Sequence, residues 1–336
     1  MAIGAGAPRA SRLPGRVSPP LSVATLLARA RAGDRPALAR LVSMIEARAP
    51  GVADALDVLA PRRLRAPGAP HVTGITGPPG AGKSTFVDRL VQHARAAGER
   101  VAVVAVDPSS PWSGGAILGD RIRMERHAED PNVYVRSLAS RGHLGGLSRA
   151  AGQVVDVLDA VGFDRVLVET VGVGQGELSV MEVADTVLVV LTPESGDSVQ
   201  TMKAGLLEIA DVFCVNKADR PGADHLRRDL EQAVHLDDRP GWQAPVHTSV
   251  ALEDRGVEET LASLQAHRAW CVGEGRAVWD ARRAEGRVRI YLDLMAEAAR
   301  EDARRGLVGS PVLAALRSGE LRPERAASAA TAKERT

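Results

Sequence analysis

Cysteine is scarce in this chain of 336 residues: Cys214 and Cys271 are the two present, too few for a disulfide framework, and no Cys or His pair stands at zinc-ligand spacing. Long apolar runs are missing as well. None approaches the eighteen or so residues that a membrane-spanning helix needs. An excess of charge of one sign is also absent, because the net charge is +1 and supplies no global field for nucleic acid or a membrane surface. These absences argue against a secreted disulfide scaffold, an integral membrane protein and a basic nucleic-acid binder. A reducing cytoplasm is the expected compartment, with the mitochondrial matrix as its counterpart in a eukaryote.

Lysine is the most informative shortage. Among 43 basic residues only Lys83, Lys203, Lys217 and Lys333 are lysine. Most positions that need a positive charge have gone to arginine. A lysine that persists is a candidate for a place where a compact ammonium is required and the guanidinium fork does not fit. Lys83 and Lys217 fall inside nucleotide-binding motifs, with Lys203 near a third.

The chain divides by composition. Residues 1–22 are rich in Gly, Pro, Ala and Arg and read as a disordered leader. Arg9, Arg12, Arg16, Arg29 and Arg31 without an acidic residue also match organelle transit peptides, but the Arg bias of the whole chain favours the plainer reading. Residues 23–70 read as a helical N-terminal extension. Its helix is capped by Asp34, carries Leu38, Leu41, Val42 and Ile45 at i, i+3, i+4 and i+7, and is followed by a linker at 61–70. Residues 71–256 alternate short apolar runs, at 72–76, 101–106, 166–168, 187–191, 212–215 and 246–249, with helical patterns. That alternation predicts an α/β fold with a mostly parallel sheet covered on both faces. From 257 to 321 the pattern is helical, with Val288, Tyr291, Leu292 and Met295 on one face and Ser310-Pro311 opening a further helix. The tail from 322 to 336 is expected to fray.

The strongest chemical signal is Gly77-Pro78-Pro79-Gly80-Ala81-Gly82-Lys83-Ser84, followed by Thr85. It satisfies G-x-x-x-x-G-K-[ST] between an apolar strand and an amphipathic helix, the context a phosphate-binding loop requires. Backbone amides of such a loop curl around a β-phosphate, and the helix N-terminus adds its positive end. Lys83 can bridge the β- and γ-phosphates, and Ser84 can offer an oxygen to Mg²⁺.

The base is indicated by Asn216-Lys217-Ala218-Asp219 at the end of a buried strand. A carboxylate at Asp219 accepts from both N1–H and the 2-amino group of guanine, whereas adenine would leave it unpaired. The stem of Lys217 can lie over the base plane. Asp107 and Glu169 stand at the carboxyl ends of predicted strands, where the ligand crevice of a parallel sheet forms, and both are candidates near magnesium. Gly172 fits the position whose amide meets the γ-phosphate. Gln175 lies three residues beyond it rather than next to it, which points to slow intrinsic hydrolysis.

Several segments together resemble the MeaB/ArgK family of P-loop GTPases. They are GPPGAGKST at 77–85, AVDPSSP at 105–111, GGAILGDRIRM at 114–124, SRGHLGGLS at 140–148, ETVGVGQGE at 169–177, ESGDSVQTMKAG at 194–205 and NKAD at 216–219, with GDRPALARLVSMIE at 33–46. The resemblance implies that Asp107, Asp120 and Glu169 surround Mg²⁺ together with Ser84, Asp120 lying on a first switch. It implies a second switch at 172–175, and a third carrying Asp197, Gln200 and Lys203. It further implies binding and slow hydrolysis of GTP, homodimerisation through the helices after 257, and an adenosylcobalamin-dependent acyl-CoA mutase as partner. Adenosylcobalamin would then be carried by the partner, since this chain has no D-x-H-x-x-G segment. The fifth GTPase motif, Ser-Ala-Leu, is here Thr248-Ser249-Val250-Ala251-Leu252, which permits more than one alignment; Ser249, Val250 and Ala251 are the base-loop candidates.

Two other functions compete. A nickel metallochaperone GTPase would show a His-rich or Cys-containing metal segment, and here the histidines are scattered; His143 and His247 read as loop or core residues. A P-loop kinase linked to amino-acid transport would more often select ATP, against which Asn216–Asp219 argues.

Overall fold

The computed structural model describes residues 22–52, 56, 71–107, 126–127, 129–139, 149–170, 179–195, 207–236 and 241–333. At the amino end, α1 (Val23–Arg31) and α2 (Arg35–Glu46) form a helical pair. Ser22 and Asp34 cap them, the Asp34 carboxylate accepting from the Ala37 amide at 3.0 Å. The predicted stripe of Leu38, Leu41, Val42 and Ile45 is buried.

Strand β1 (His71–Thr76) then leads into α3 (Lys83–Ala96), β2 (Val101–Asp107), β3 (Val133–Ala139), α4 (Arg149–Val161), β4 (Arg165–Thr170) and β5 (Thr186–Leu191). The order continues with β6 (Val212–Asn216), α5 (Ala223–His235) and β7 (Val246–Ser249). Among the described residues these strands form one sheet in the order β3-β2-β4-β1-β5-β6-β7, with every pairing parallel. Alternate residues serve opposite layers. Ala102, Val104 and Val106 pack with α1, α2 and α4, while Val101 and Val103 pack with α3 on the other side. Burial on both faces explains why these strands read as continuous apolar runs.

Strand β3 does not appear among the apolar runs of the sequence. It is an edge strand, VYVRSLA, whose Arg136 pairs with Glu46 of α2 and donates to Ser43 Oγ at 3.1 Å. A half-exposed edge needs no uninterrupted apolar run.

Four helices close the chain: α6 (Val257–Val272), α7 (Arg276–Leu307), α8 (Pro311–Ser318) and α9 (Pro323–Lys333). Ser310 caps α8 ahead of Pro311, as expected, accepting from the Leu313 amide at 3.2 Å. From Pro323 the Ala-rich stretch forms α9, in keeping with the high helix propensity of alanine. Helix α6, expected within an arm, instead belongs to the core. Its Val257 and Leu264 are fully buried against α3 and the sheet, and Gly273–Gly275 separate it from α7.

Helix α7 is latched to the amino edge of the sheet. Arg282 donates to Asp211 at 2.9 Å and Arg283 pairs with Asp185. Each carboxylate also caps a strand, Asp185 accepting from the Val72 amide at 3.0 Å and Asp211 from the Val187 amide at 2.8 Å. Among the described residues no helix is long and apolar enough to cross a membrane.

Candidate nucleotide-binding site

The carboxyl end of β1 turns into Gly77–Gly82 and then into α3. Two glycines have no substitute here. Gly77 has φ 137° and presses on β5, where a Cβ would lie 2.0 Å from the Val190 carbonyl oxygen. Gly82, with φ 88°, would place a Cβ 2.4 Å from Asn216 Nδ2. Lys83 is buried and curls back over the loop, its ammonium donating to the carbonyls of Gly77 at 2.7 Å and Pro78 at 3.0 Å. The loop thus presents a lysine and the start of a 14-residue helix at one mouth.

The neighbouring strand contributes the acid. Ile75 of β1 stands in register with Glu169 of β4, and Ser84 Oγ donates to Glu169 Oε1 at 2.7 Å. Thr170 donates to Thr76 Oγ1 at 2.9 Å and ties the two strand ends together. Asp107 ends β2, with Val106 in register with Thr170, so its backbone reaches the same edge. Asp120, Gly172, Gln175, Asp197, Gln200, Lys203 and His143 lie outside the described residues.

At the end of β6, Asn216 joins three segments. Its Nδ2 donates to the Ala81 carbonyl at 2.9 Å, and its Oδ1 accepts from Ser249 Oγ at 3.1 Å and from the Ala251 amide at 3.0 Å. Lys217 adopts φ 57°, a left-handed turn that brings the Ala218 amide to the Ser249 carbonyl at 2.9 Å. The sequence leaves the alignment of Thr248–Leu252 open; the fold brings Ser249, Val250 and Ala251 beside Asn216–Asp219. That loop is tight, since Val250 pairs with Arg255 and a Cβ on Gly256 would meet the Thr248 carbonyl at 2.0 Å.

The remaining titratable groups near this edge have structural surroundings. Cys214 lies in β6 with its Sγ 3.1 Å from Ser249 Oγ, and burial pushes its thiol up to about 11. His247 contacts Ser263 Oγ at 2.7 Å and is half-buried, which lowers its pKa below the usual imidazole value. Arg220, directly after Asp219, pairs with the exposed Glu194, and that hydrogen bond holds the Glu194 carboxyl down at about 2. Arg89 of α3 also reaches the 249–252 loop, a contact that no sequence motif announces.

Comparison with known proteins gives the chain a family. A family profile described as "Methylmalonyl Co-A mutase-associated GTPase MeaB" matches residues 38–305. A putative GTPase of Pyrococcus horikoshii is 46% identical over 255 residues, covering 75% of this chain and 79% of that protein. A probable GTPase of Mycobacterium tuberculosis is 40% identical over 306 residues, covering 88% and 90%. Among solved structures, one described as an LAO/AO transport system kinase superposes with a TM-score of 0.68 at 27% identity, covering 94% of this chain and 98% of that one.

Proposed function

The chain belongs to the family of methylmalonyl-CoA mutase-associated GTPases, and from that membership we propose that it couples its GTP cycle to an adenosylcobalamin-dependent acyl-CoA mutase. On this reading the nucleotide lies across the carboxyl edge of the sheet. The loop Gly77–Gly82, with Lys83, Ser84 and Thr85, surrounds its phosphates. Asn216, Lys217 and Asp219, with Ser249, Val250 and Ala251, surround its guanine. The observation that carries this placement is the position of Asn216, bonded at once to the phosphate loop and to the 249–251 loop.

Lys83 would exchange its two carbonyl partners for phosphate oxygens, which are stronger acceptors for an ammonium. Ser84 and Glu169 are buried oxygen donors of the type that Mg²⁺ prefers, and they fit such an ion, with Asp107 and Asp120 as further carboxylates. Bound there, Mg²⁺ would offset charge on the β- and γ-phosphates. The Gly172 amide would meet the γ-phosphate. Gln175, displaced from the position directly after it, leaves the attacking water weakly oriented, hence a slow intrinsic rate that the mutase raises.

Nucleotide state would reach the mutase through the segment holding Asp197, Gln200 and Lys203, and cobalamin would stay with the partner. A second copy of the chain would cover the exposed face of α7, where Val288, Tyr291, Leu292 and Met295 are each at least half exposed. The test is single-turnover GTP hydrolysis with and without the methylmalonyl-CoA mutase of the same organism. Stimulation is expected, and an unchanged rate together with no co-purification would remove the mutase from the account.

A further inference from the structure

We propose that Arg89 is a positioning residue for base selection: it holds the 249–252 loop so that a backbone amide meets the O6 edge of guanine. This rests on the placement of guanine beside Asn216–Asp219 given above.

Arg89 lies six residues after Lys83 on the same helix, about 9 Å further along its axis. The two side chains serve different faces of α3. Arg89 Nε donates to the Ala251 carbonyl at 2.9 Å and Nη2 to the Leu252 carbonyl at 2.7 Å. Its remaining nitrogen donates to Gln92 Oε1 at 2.9 Å, and Gln92 in turn donates to Asp88 at 3.1 Å. A planar fork spanning two successive carbonyls is a geometry that an ammonium cannot reproduce.

The Ala251 residue is therefore gripped from two sides. Its amide goes to Asn216 of β6, and its carbonyl goes to Arg89 of α3. Peptide planarity sets the consequence. In a trans peptide the carbonyl of Ala251 and the amide of Leu252 point in opposite directions. With that carbonyl held by Arg89 of α3 and by the Asp254 amide of its own turn, the Leu252 amide is turned away from α3.

Guanine supplies the complementary requirement. Asp219 can accept from N1–H and the 2-amino group, which leaves O6, an acceptor, still to be matched by a donor. Adenine carries an amino group at the same place and would oppose that donor. The Leu252 amide is the donor that the Arg89 contact aims.

Ser249, Val250 and Ala251 are buried, and the loop opens to solvent at Leu252. Leu252 is 77% exposed, and Asp254 sits at φ 59°, a left-handed conformation uncommon for a side-chain-bearing residue. Backbone bonds close the turn, the Glu253 amide donating to the Val250 carbonyl at 2.9 Å and the Asp254 amide to the Ala251 carbonyl at 3.2 Å. Helix α3 adds polar ties from outside, with His93 Nε2 lying 3.0 Å from Asp254 as a second one.

The test compares GDP with 6-thio-GDP, which keeps N1–H and the 2-amino group but puts a weakly accepting sulfur at position 6. Affinities of both are measured for the full-length wild type, Arg89→Ala and Arg89→Lys by calorimetry. Wild type is expected to prefer GDP. In Arg89→Ala, GDP affinity should fall about tenfold while 6-thio-GDP falls much less, so the preference collapses. Arg89→Lys should be intermediate, and it carries the same test should the alanine variant fail to fold. Unchanged GDP affinity, or an equal fall for both nucleotides, overturns the proposal. Asp219→Asn is run alongside: if that variant binds GDP as wild type does, the placement of the base is what fails, not the role of Arg89 within it.

Discussion

Gly82 and Asn216 approach so closely that a methyl group added to the glycine would stand 2.4 Å from the asparagine amide nitrogen. Asn216 cannot withdraw without releasing Ala81, Ser249 and Ala251. The loops at 77–82 and 249–251 are thus packed on one side chain. Gly82→Ala must also adopt φ 88°, a conformation that costs a residue with a Cβ about 1 kcal/mol or more. We expect a melting temperature lowered by several degrees and GDP binding weakened at least about tenfold. Wild-type affinity measured by fluorescence titration would show that the two loops are independent.

Lys83→Ala removes an ammonium from the phosphate site and hardly any core volume. The variant should fold, lose about 1 kcal/mol for the two hydrogen bonds to Gly77 and Pro78, and bind GTP and GDP about a hundredfold more weakly. A folded variant with unchanged affinity would contradict the placement of the phosphates.

Asp219→Asn should shift preference from guanosine to xanthosine nucleotides. The amide can donate to the 2-carbonyl of xanthine, where a carboxylate is repelled. Competition between GTP and XTP in the same titration reads the outcome, and a retained preference for GTP would place the base reader elsewhere.

Glu182 precedes β5 and lines a cavity of about 200 Å³ with Trp279, Gly286 and Ile290 of α7. Burial pushes its carboxyl up to about 7, and nearby Asp293 adds to the rise while Arg289 opposes it. A raised folded-state pKa on an acid means that the folded form holds the proton more tightly than the unfolded one. Stability is then highest below the unfolded value near 4.5 and falls as pH rises through 7. Glu182→Gln lacks that loss. Its gain over wild type should be near zero at pH 4.5 and reach about 1–2 kcal/mol at pH 8, after allowance for solvent at the carboxyl. Urea unfolding at both pH values checks it, and a gain independent of pH would point to packing instead.

Ending the chain before α7 gives up the Arg282–Asp211 and Arg283–Asp185 contacts, while both carboxylates keep their strand amides. A chain ending at Gly275 keeps Val257, Leu264 and Cys271, which are buried in α6, and should bind GDP as a monomer if α7 forms the dimer contact. One ending at residue 256 loses that buried face, at roughly 2–5 kcal/mol for a core leucine alone, and should not fold stably. Light scattering on the longer truncation is decisive: a dimer there would move the interface off the arm.

What the sequence by itself determined is whatever depends on local order along the chain. Gly77–Ser84 and Asn216–Asp219 each carry their chemistry within a few consecutive residues, so spacing alone exposes them. The strands buried on both faces were legible for the same reason, as unbroken apolar runs, and so was the cap at Asp34. Tertiary structure decided what depends on neighbours distant in sequence. Strand β3 has one sheet neighbour and keeps Arg136 for Glu46, so its apolar run is interrupted. Helix α6 reads like its successors until Val257 and Leu264 meet α3. Arg89 and Ala251 are 162 positions apart and form no pattern with each other. A guanidinium has the same five donors in every arginine of this arginine-rich chain, and only the packing of α3 against the turn after β7 gives this one two carbonyls to hold.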